Sequence, residues 1–220
     1  MPDYAHQHHL LDDCVRGAGR EESLSALRRY FDQQRTTARY TGRWFERFAG
    51  GGDHPSVANT VTEADVLALN FLSITSLAEV AIDATITYTL QIRELLEQIP
   101  VNVPMHSAPW SAYEPGSPAF RLWELFRRCG GNHRPVTASK LLARKRPRLT
   151  PVYDSQVKAV LKAPRSEWHC LWSWFHTDPT RASAVADLRA EAGGIEDITL
   201  LRCLDVILWM KARPLRFPTR

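Results

Sequence analysis

Apolar residues recur along this chain at the spacing of amphipathic helices. Between residues 21 and 35, Leu24, Leu27 and Phe31 are separated by three and four positions. Residues at that spacing share one face of a helix, so the pattern predicts a helix with one buried side. The same pattern predicts helices over residues 39–48, 62–74, 77–99, 119–129, 136–143, 154–162, 167–175, 179–192 and 198–210. We see no run of successive strands, and we predict an all-α fold, a compact helical bundle.

Local signals define some of these elements. Thr62 is a suitable N-cap, and Asp65 three residues later completes an approximate capping box. Thr85, Thr87 and Thr89 alternate with apolar residues, which would suit a strand, but the length of the segment favours a helix.

The chain is predicted to form one domain with an arm. The first 20 residues are polar and include several histidines, which indicates a flexible N-terminal arm. Residues 21–220 are enough for one sizeable core, and we predict a single helical domain there. Five prolines between 100 and 118 mark a long loop that carries Trp110 and Tyr113.

Composition excludes some classes of protein. No stretch approaches the roughly 20 apolar residues of a membrane span, and the polar N-terminus has no signal-peptide core, so we predict a cytoplasmic protein without a membrane partner. The four cysteines are far apart and are expected to be buried, reduced thiols. Trp168, Trp172 and Trp174 are assigned to core packing rather than to base stacking.

Charge is distributed unevenly along the chain. Residues 127–165 contain 11 Lys and Arg and one acid, Asp154, although the whole chain has a net charge of only +4. Such a surplus of positive charge favours binding to the phosphates of nucleic acid, with double-stranded DNA as the expected partner. The expected phosphate contacts are Arg134, Lys140, Arg144, Lys145, Arg146, Arg148 and Lys158. Trp110, Tyr113 and Tyr153 are candidates for stacking on bases or for lining a pocket.

Residues 137–161 resemble the helix-hairpin-helix DNA glycosylases of the endonuclease-III-like superfamily. Thr137-Ala138 precedes Val152-Tyr153-Asp154 at the spacing of the family's motif, and a Val-Lys-x-Val pattern follows. The resemblance implies a divergent glycosylase-like fold and base excision, a hydrolase activity in which Asp154 is the catalytic acid. The family's Leu-Pro-Gly-Val-Gly hairpin is absent, and Val136 stands where the bifunctional enzymes have lysine.

The chain as a whole resembles a bacterial family of unknown function. The residues that carry this resemblance are Thr-Glu-Ala-Asp-Val-Leu-Ala-Leu, Leu-Leu-Ala-Arg-Lys-Arg-Pro, Pro-Val-Tyr-Asp and Leu-Arg-Cys-Leu-Asp-Val-Ile-Leu-Trp-Met. It implies no particular activity.

Other assignments remain open. As an alternative to catalysis, Asp154 could have no role other than to cap a helix and to pair with Lys158. Metal ligands could be Cys129 with His133, or His169 with His176 and Asp178, but neither set is complete, and we predict no metal and no cofactor. His106 and His133 are candidate general bases by residue type alone. Two hypotheses result: a glycosylase-like enzyme that uses Asp154, and a non-catalytic helical module that binds nucleic acid or protein. The oligomeric state is left unassigned.

Overall fold

The computed structural model describes residues 3–32, 34, 40–131 and 134–213. These residues form an all-α structure with eleven α-helices and no strand, which confirms the predicted fold class. The helices are α1 (Ala5–Arg16), α2 (Arg20–Phe31), α3 (Glu63–Asn70), α4 (Ala78–Ile82), α5 (Thr89–Glu97), α6 (Pro118–Arg128), α7 (Pro135–Lys145), α8 (Ser155–Val160), α9 (Glu167–Thr177), α10 (Thr180–Ala192) and α11 (Leu200–Lys211). None of them is long and apolar enough to cross a membrane.

The chain divides into two compact units. The first unit combines residues 1–36 with residues 153–220, and the second is the continuous segment 37–152. The first therefore contains α1, α2 and α8 to α11, and the second contains α3 to α7. The single domain expected over residues 21–220 stays a prediction.

Helix α1 lies where the sequence predicted a flexible arm. Leu11, Cys14 and Val15 are at most 1% exposed, and they form one face of this helix. A short apolar face among polar residues is therefore enough to fold the segment, since helices of this kind gain most of their stability from packing. Asp12 on the same helix forms an ion pair with Arg181 of α10 over 2.7 Å and accepts a hydrogen bond from the indole of Trp174.

The second unit confirms one local signal and revises another. Thr62 caps α3, and the reciprocal bonds of a capping box with Asp65 are both present. The segment predicted as one helix over 77–99 is instead α4 and α5 with a π-helical turn, Asp83–Thr87, between them. Asp83 in that turn accepts a hydrogen bond from the backbone N–H of Gly130 over 2.9 Å. The strand alternative for Thr85 to Thr89 is wrong.

The cysteine prediction is confirmed. All four thiols are free and buried. Burial raises the pKa of Cys129 and the pKa of Cys170 to about 12, so both stay protonated at neutral pH.

Candidate active site

Three of the cations that were expected to contact phosphate are buried inside the second unit. Arg144, Lys145 and Arg146, at the end of α7, are at most 1% exposed. They are therefore not part of an exposed basic patch. Backbone carbonyl oxygens of the surrounding chain, among them those of Phe48, Val57 and Leu96, accept hydrogen bonds from the three cations.

Asp65 is the carboxylate on which two of these cations meet. Arg144 Nε donates to its Oδ1 over 3.0 Å, and Lys145 Nζ donates to its Oδ2 over 2.9 Å. Arg144 also donates to the carbonyl oxygens of Phe45 and Phe48. The network ties the C-terminal end of α7 to the segment before α3, which is a structural role.

Arg146 donates its hydrogen bonds to uncharged oxygen atoms. Its guanidinium donates to the carbonyl oxygens of Ile99, Ala58 and Leu96 over 2.7, 2.8 and 2.5 Å, and to Oδ1 of Asn59 over 2.8 Å. Burial lowers the pKa of Arg146 to about 10. Burial also lowers the pKa of Lys145, an effect larger than the opposing attraction of Asp65.

The remaining predicted cations of the second unit are dispersed. Lys140 is 3% exposed and donates to the carbonyl oxygen of Leu72 over 2.8 Å. Arg134 is half-buried and donates to the carbonyl oxygen of Ser76 over 3.1 Å. Arg148 has an exposed side chain. Of the five predicted cations in this unit that lie beyond Arg134, only Arg148 faces solvent.

Of the two aromatic candidates in the proline-rich loop, Trp110 and Tyr113, only Trp110 is partly exposed. Tyr113 is 2% exposed, and its hydroxyl donates to the carbonyl oxygen of Leu149 over 3.0 Å. Burial raises the pKa of this phenol above its ordinary value. Trp110 is half-buried and stacks on Tyr113 with the ring centroids 5.6 Å apart. The ring of Tyr113 therefore packs in the core and is not exposed to a base.

Asp154 lies in the first unit at the start of α8. It is half-buried, and its Oδ1 accepts a hydrogen bond from the backbone N–H of Gln156 over 2.8 Å, as an N-cap does. Of the alternative left open for Asp154, a helix cap paired with Lys158, the N-cap is therefore present. The carboxylate also remains partly open to solvent.

Glu167 at the start of α9 is a buried carboxyl group that sequence reasoning missed. It is 9% exposed, and neither carboxylate oxygen has a hydrogen-bond partner. Burial raises its pKa well above the ordinary value, and the negative charges of Asp205 and Asp154 raise it further, against a smaller opposite effect of Lys158. The shift favours the neutral form of Glu167, and the charges of both aspartates contribute to it.

Asp205 belongs to a buried polar group on α11 and α2. It forms an ion pair with Arg202, and both side chains are at most 5% exposed. Arg202 also donates to the hydroxyl of Tyr30 over 2.7 Å. The charges of Asp205 and Asp154 both act on Glu167, and we call these three carboxyl groups of the first unit the acid cluster. A buried carboxyl group with a raised pKa, such as Glu167, is a feature that occurs often at functional sites.

Exposed and half-buried cations accompany the acid cluster along α8 and the turn after it. Lys158 is half-buried and lies 5.7 Å from the ring centroid of Tyr153, which is half-buried as well. Lys162 and Arg165 are exposed. Lys162 and Ala163 have φ values of 50° and 47°, a left-handed conformation that costs residues other than glycine about 1–3 kcal/mol.

The metal alternatives gain no support from the part of the chain that the structure describes. No group of three or more histidine, cysteine or acidic residues in it could hold a metal ion. His176 stacks on Trp172, and Asp178 forms an ion pair with Arg16 over 2.7 Å. The site that would use His133 falls outside the described residues. His106 is exposed in the proline-rich loop.

Comparison with known proteins identifies a family whose function is unknown. The model of DUF6308, a family of unknown function, matches residues 23–212. No curated protein matches the chain, and no solved structure matches it. The match agrees with the resemblance of the whole chain to a family of unknown function. The resemblance of residues 137–161 to the DNA glycosylases gains no support.

Proposed function

We propose that the chain, which belongs to the DUF6308 family, is a hydrolase that cleaves an N-glycosidic bond in nucleic acid, with Asp154 as its reacting carboxylate. The proposal depends on one relationship: a partly open carboxylate, Asp154, lies close enough to the buried carboxyl group of Glu167 for its negative charge to help raise the pKa of Glu167. A carboxyl group whose pKa is raised by burial and by neighbouring charges is a feature that occurs often at active sites.

In the proposed reaction, the bond between the sugar carbon C1′ and the base nitrogen breaks, and a water oxygen bonds to C1′. The bonding electrons leave with the base, whose nitrogen takes a proton from solvent. Asp154 stabilises the positive charge that develops on the sugar, accepts a proton from the attacking water and later returns it to solvent.

Glu167 is assigned as a positioning residue because burial keeps it from the substrate. An ionised Glu167 would place a second negative charge near Asp154, and the two carboxylates would repel each other. With Glu167 neutral and Asp205 paired to Arg202, Asp154 is the group of the cluster that can meet a developing positive charge.

The cations around the acid cluster favour a polyanionic substrate. Lys158, Lys162 and Arg165 lie on α8 and in the turn after it, close in sequence to Asp154 and Tyr153. They would contact phosphates, and Tyr153 would stack on a base. Double-stranded DNA is the proposed partner. Lys158, Lys162 and Arg165 take the place of the buried Arg144, Lys145 and Arg146 as the proposed phosphate contacts.

A non-catalytic nucleic-acid-binding module is the second candidate. The observation that favours it is the hydrogen bond from the backbone N–H of Gln156 to Oδ1 of Asp154, because a capping aspartate needs no chemistry to explain it. Measurements of base release and of DNA binding separate the two candidates.

Base release from duplex DNA that carries a panel of damaged or mismatched bases tests the chemistry. Asp154→Asn keeps a good helix cap and removes only the charge, so we expect base release to fall by at least about a hundredfold with the thermal stability retained. Asp187→Asn makes the same charge change at an exposed position of α10 and is expected to change nothing. Binding without base release from any lesion, unaffected by Asp154→Asn, would leave only the binding module.

The salt dependence of duplex binding tests the partner. Each neutralised phosphate contributes about 0.9 to the slope of log affinity against log salt, so Lys162→Gln is expected to reduce that slope by about one. Arg93→Gln is the control, since Arg93 is an exposed cation on α5 in the second unit. An equal effect of the two substitutions, or no binding at low salt, would contradict the proposed surface.

A further inference from the structure

A groove lies between α2 and α11 in the first unit, and none of its lining residues belongs to the acid cluster. Its volume is about 530 Å³. Sites for small molecules measure about 300–1,000 Å³. The groove is therefore large enough for a small organic molecule.

The floor of the groove is apolar. Ala26 on α2 and Ile207 and Met210 on α11 line it, and they are 8%, 2% and 5% exposed. Aliphatic and thioether groups of this kind offer contact to a hydrocarbon body but no hydrogen bond.

The rim of the groove is cationic. Arg29, Lys211 and Arg213 line it, and Glu22 is the one acid that does so among the residues described. The ammonium of Lys211 is 3.5 Å from Glu22, and the guanidinium of Arg213 is 4.1 Å from the ring centroid of Trp209. Arg29 is exposed and forms no hydrogen bond or ion pair within the described part of the chain. Arg29, without a partner among the described residues, therefore lies beside the apolar floor.

We propose that this groove binds an organic anion with an apolar body, a carboxylate whose head group pairs with Arg29 and whose hydrocarbon chain lies on Ala26, Ile207 and Met210. The guanidinium fork suits a carboxylate because it can donate two parallel hydrogen bonds. Lys211 and Arg213 add positive charge around the same head group. Both parts of the ligand are required, since the rim binds the charge and the floor binds the chain.

Calorimetric titration of the whole protein with decanoate, below the concentration at which decanoate forms micelles, tests this site. We expect saturable binding of one decanoate per chain. Acetate supplies the charge without the hydrocarbon, and decanol supplies the hydrocarbon without the charge. Each is expected to bind at least about tenfold more weakly than decanoate, the loss that corresponds to about 1.4 kcal/mol.

Two substitutions locate the bound anion. Arg29→Gln is expected to weaken decanoate binding at least about tenfold, because it removes the charge and the paired hydrogen bonds of the guanidinium. Arg28→Gln is the matched control, because Arg28 is the neighbouring exposed arginine of α2 and donates instead to the carbonyl oxygen of Glu191. Ser25→Trp, at an exposed lining position, is expected to block the groove without disturbing the core.

The proposal fails if decanoate does not bind, or if acetate or decanol binds as tightly. It also fails if Arg28→Gln weakens binding as much as Arg29→Gln, or if Ser25→Trp leaves the affinity unchanged. These outcomes do not depend on base release, so this site and the proposed hydrolase are tested separately.

Discussion

Arg144 and Asp65 form an ion pair in the interior of the second unit, with Nε and Oδ1 3.0 Å apart and both side chains 1% exposed. The other oxygen of the same carboxylate pairs with Lys145 over 2.9 Å. One buried carboxylate therefore compensates two buried cations, and its removal would leave both charges without an acidic partner.

Asp65→Asn is expected to destabilise the protein by about 3–5 kcal/mol, because removing one member of a buried ion pair leaves the other charge uncompensated. Thermal and urea unfolding measure the loss. Glu63→Gln changes the same charge at an exposed position two residues before Asp65 on α3, and it should stay within about 0.5 kcal/mol of the parent protein. A small effect of Asp65→Asn would contradict the structural role of the network.

Gly52 approaches the same network closely. A Cβ atom at this position would lie 2.5 Å from the carbonyl oxygen of Arg144 and 2.7 Å from Oδ1 of Asp65. Gly52→Ala is therefore expected to destabilise the protein by about 1–3 kcal/mol or more through overpacking, measured by urea unfolding. Gly50→Ala is the comparison, since Gly50 has a φ of 82° and open space around its Cβ position. Backbone strain alone should cost that variant about 1–2 kcal/mol, and a larger loss than that of Gly52→Ala would contradict the predicted clash.

Glu167 should make the stability of the protein depend on pH. Its pKa is raised by burial and by the charges of Asp205 and Asp154, so the folded state keeps a proton that the unfolded state releases above about pH 4.3. Each pH unit above that value costs about 1.4 kcal/mol of folding free energy, until the pKa of the folded state is reached. Stability is therefore lost as the pH rises.

Glu167→Gln removes this cost, so the free energy of unfolding of the variant minus that of the parent protein should increase between about pH 5 and pH 8. Urea unfolding across that range measures the difference. Glu21→Gln is the control, because Glu21 is an exposed acid on α2 in the same unit, and its difference from the parent should stay flat. A flat difference for Glu167→Gln would show that Glu167 is ionised in the folded protein.

In the turn after α8, glycine at position 162 should give a more stable protein than the natural lysine. Lys162 has a φ of 50°, a conformation that glycine adopts without a Cβ penalty. Lys162→Gly is expected to raise the stability by up to about 1 kcal/mol. Ala159→Gly, at an exposed position inside α8, should lower it by about 0.5–1 kcal/mol. Thermal unfolding measures both, and a loss of stability in Lys162→Gly would contradict strain at this position.

The elements predicted best are those determined by local sequence. The capping box of Thr62 and Asp65 and the N-cap at Asp154 are visible from residue type and spacing. Helix α7, predicted over 136–143, covers Pro135–Lys145 in the structure, and α10 begins at Thr180 and ends at Ala192, as expected within one residue. The segment 39–48 was predicted as a helix, but the structure has a short 3-10 turn at Thr41–Trp44 and a second one at Phe48–Gly50.

The site could be predicted only in part because its chemistry depends on distant contacts. The run Arg144 to Arg146 looks like a basic surface in sequence, and its burial follows from partners that are some 50 to 100 positions away in the chain. Glu167 looks like an ordinary acid in the first turn of a helix. The one available signal was Asp205, a charge within an apolar run and three residues after Arg202, which indicates a buried ion pair.

The division of the chain into a continuous and a discontinuous unit has a consequence for biosynthesis. The second unit is one uninterrupted segment, so all of its contacts can form while the ribosome is still adding residues beyond Val152. The first unit joins α1 and α2 to helices that are made only after the second unit is complete. The apolar face of α2, which includes Leu24 and Leu27, is buried against α10 and α11, and these helices are synthesised last. Until then this face is exposed, and we expect a nascent-chain chaperone to bind it.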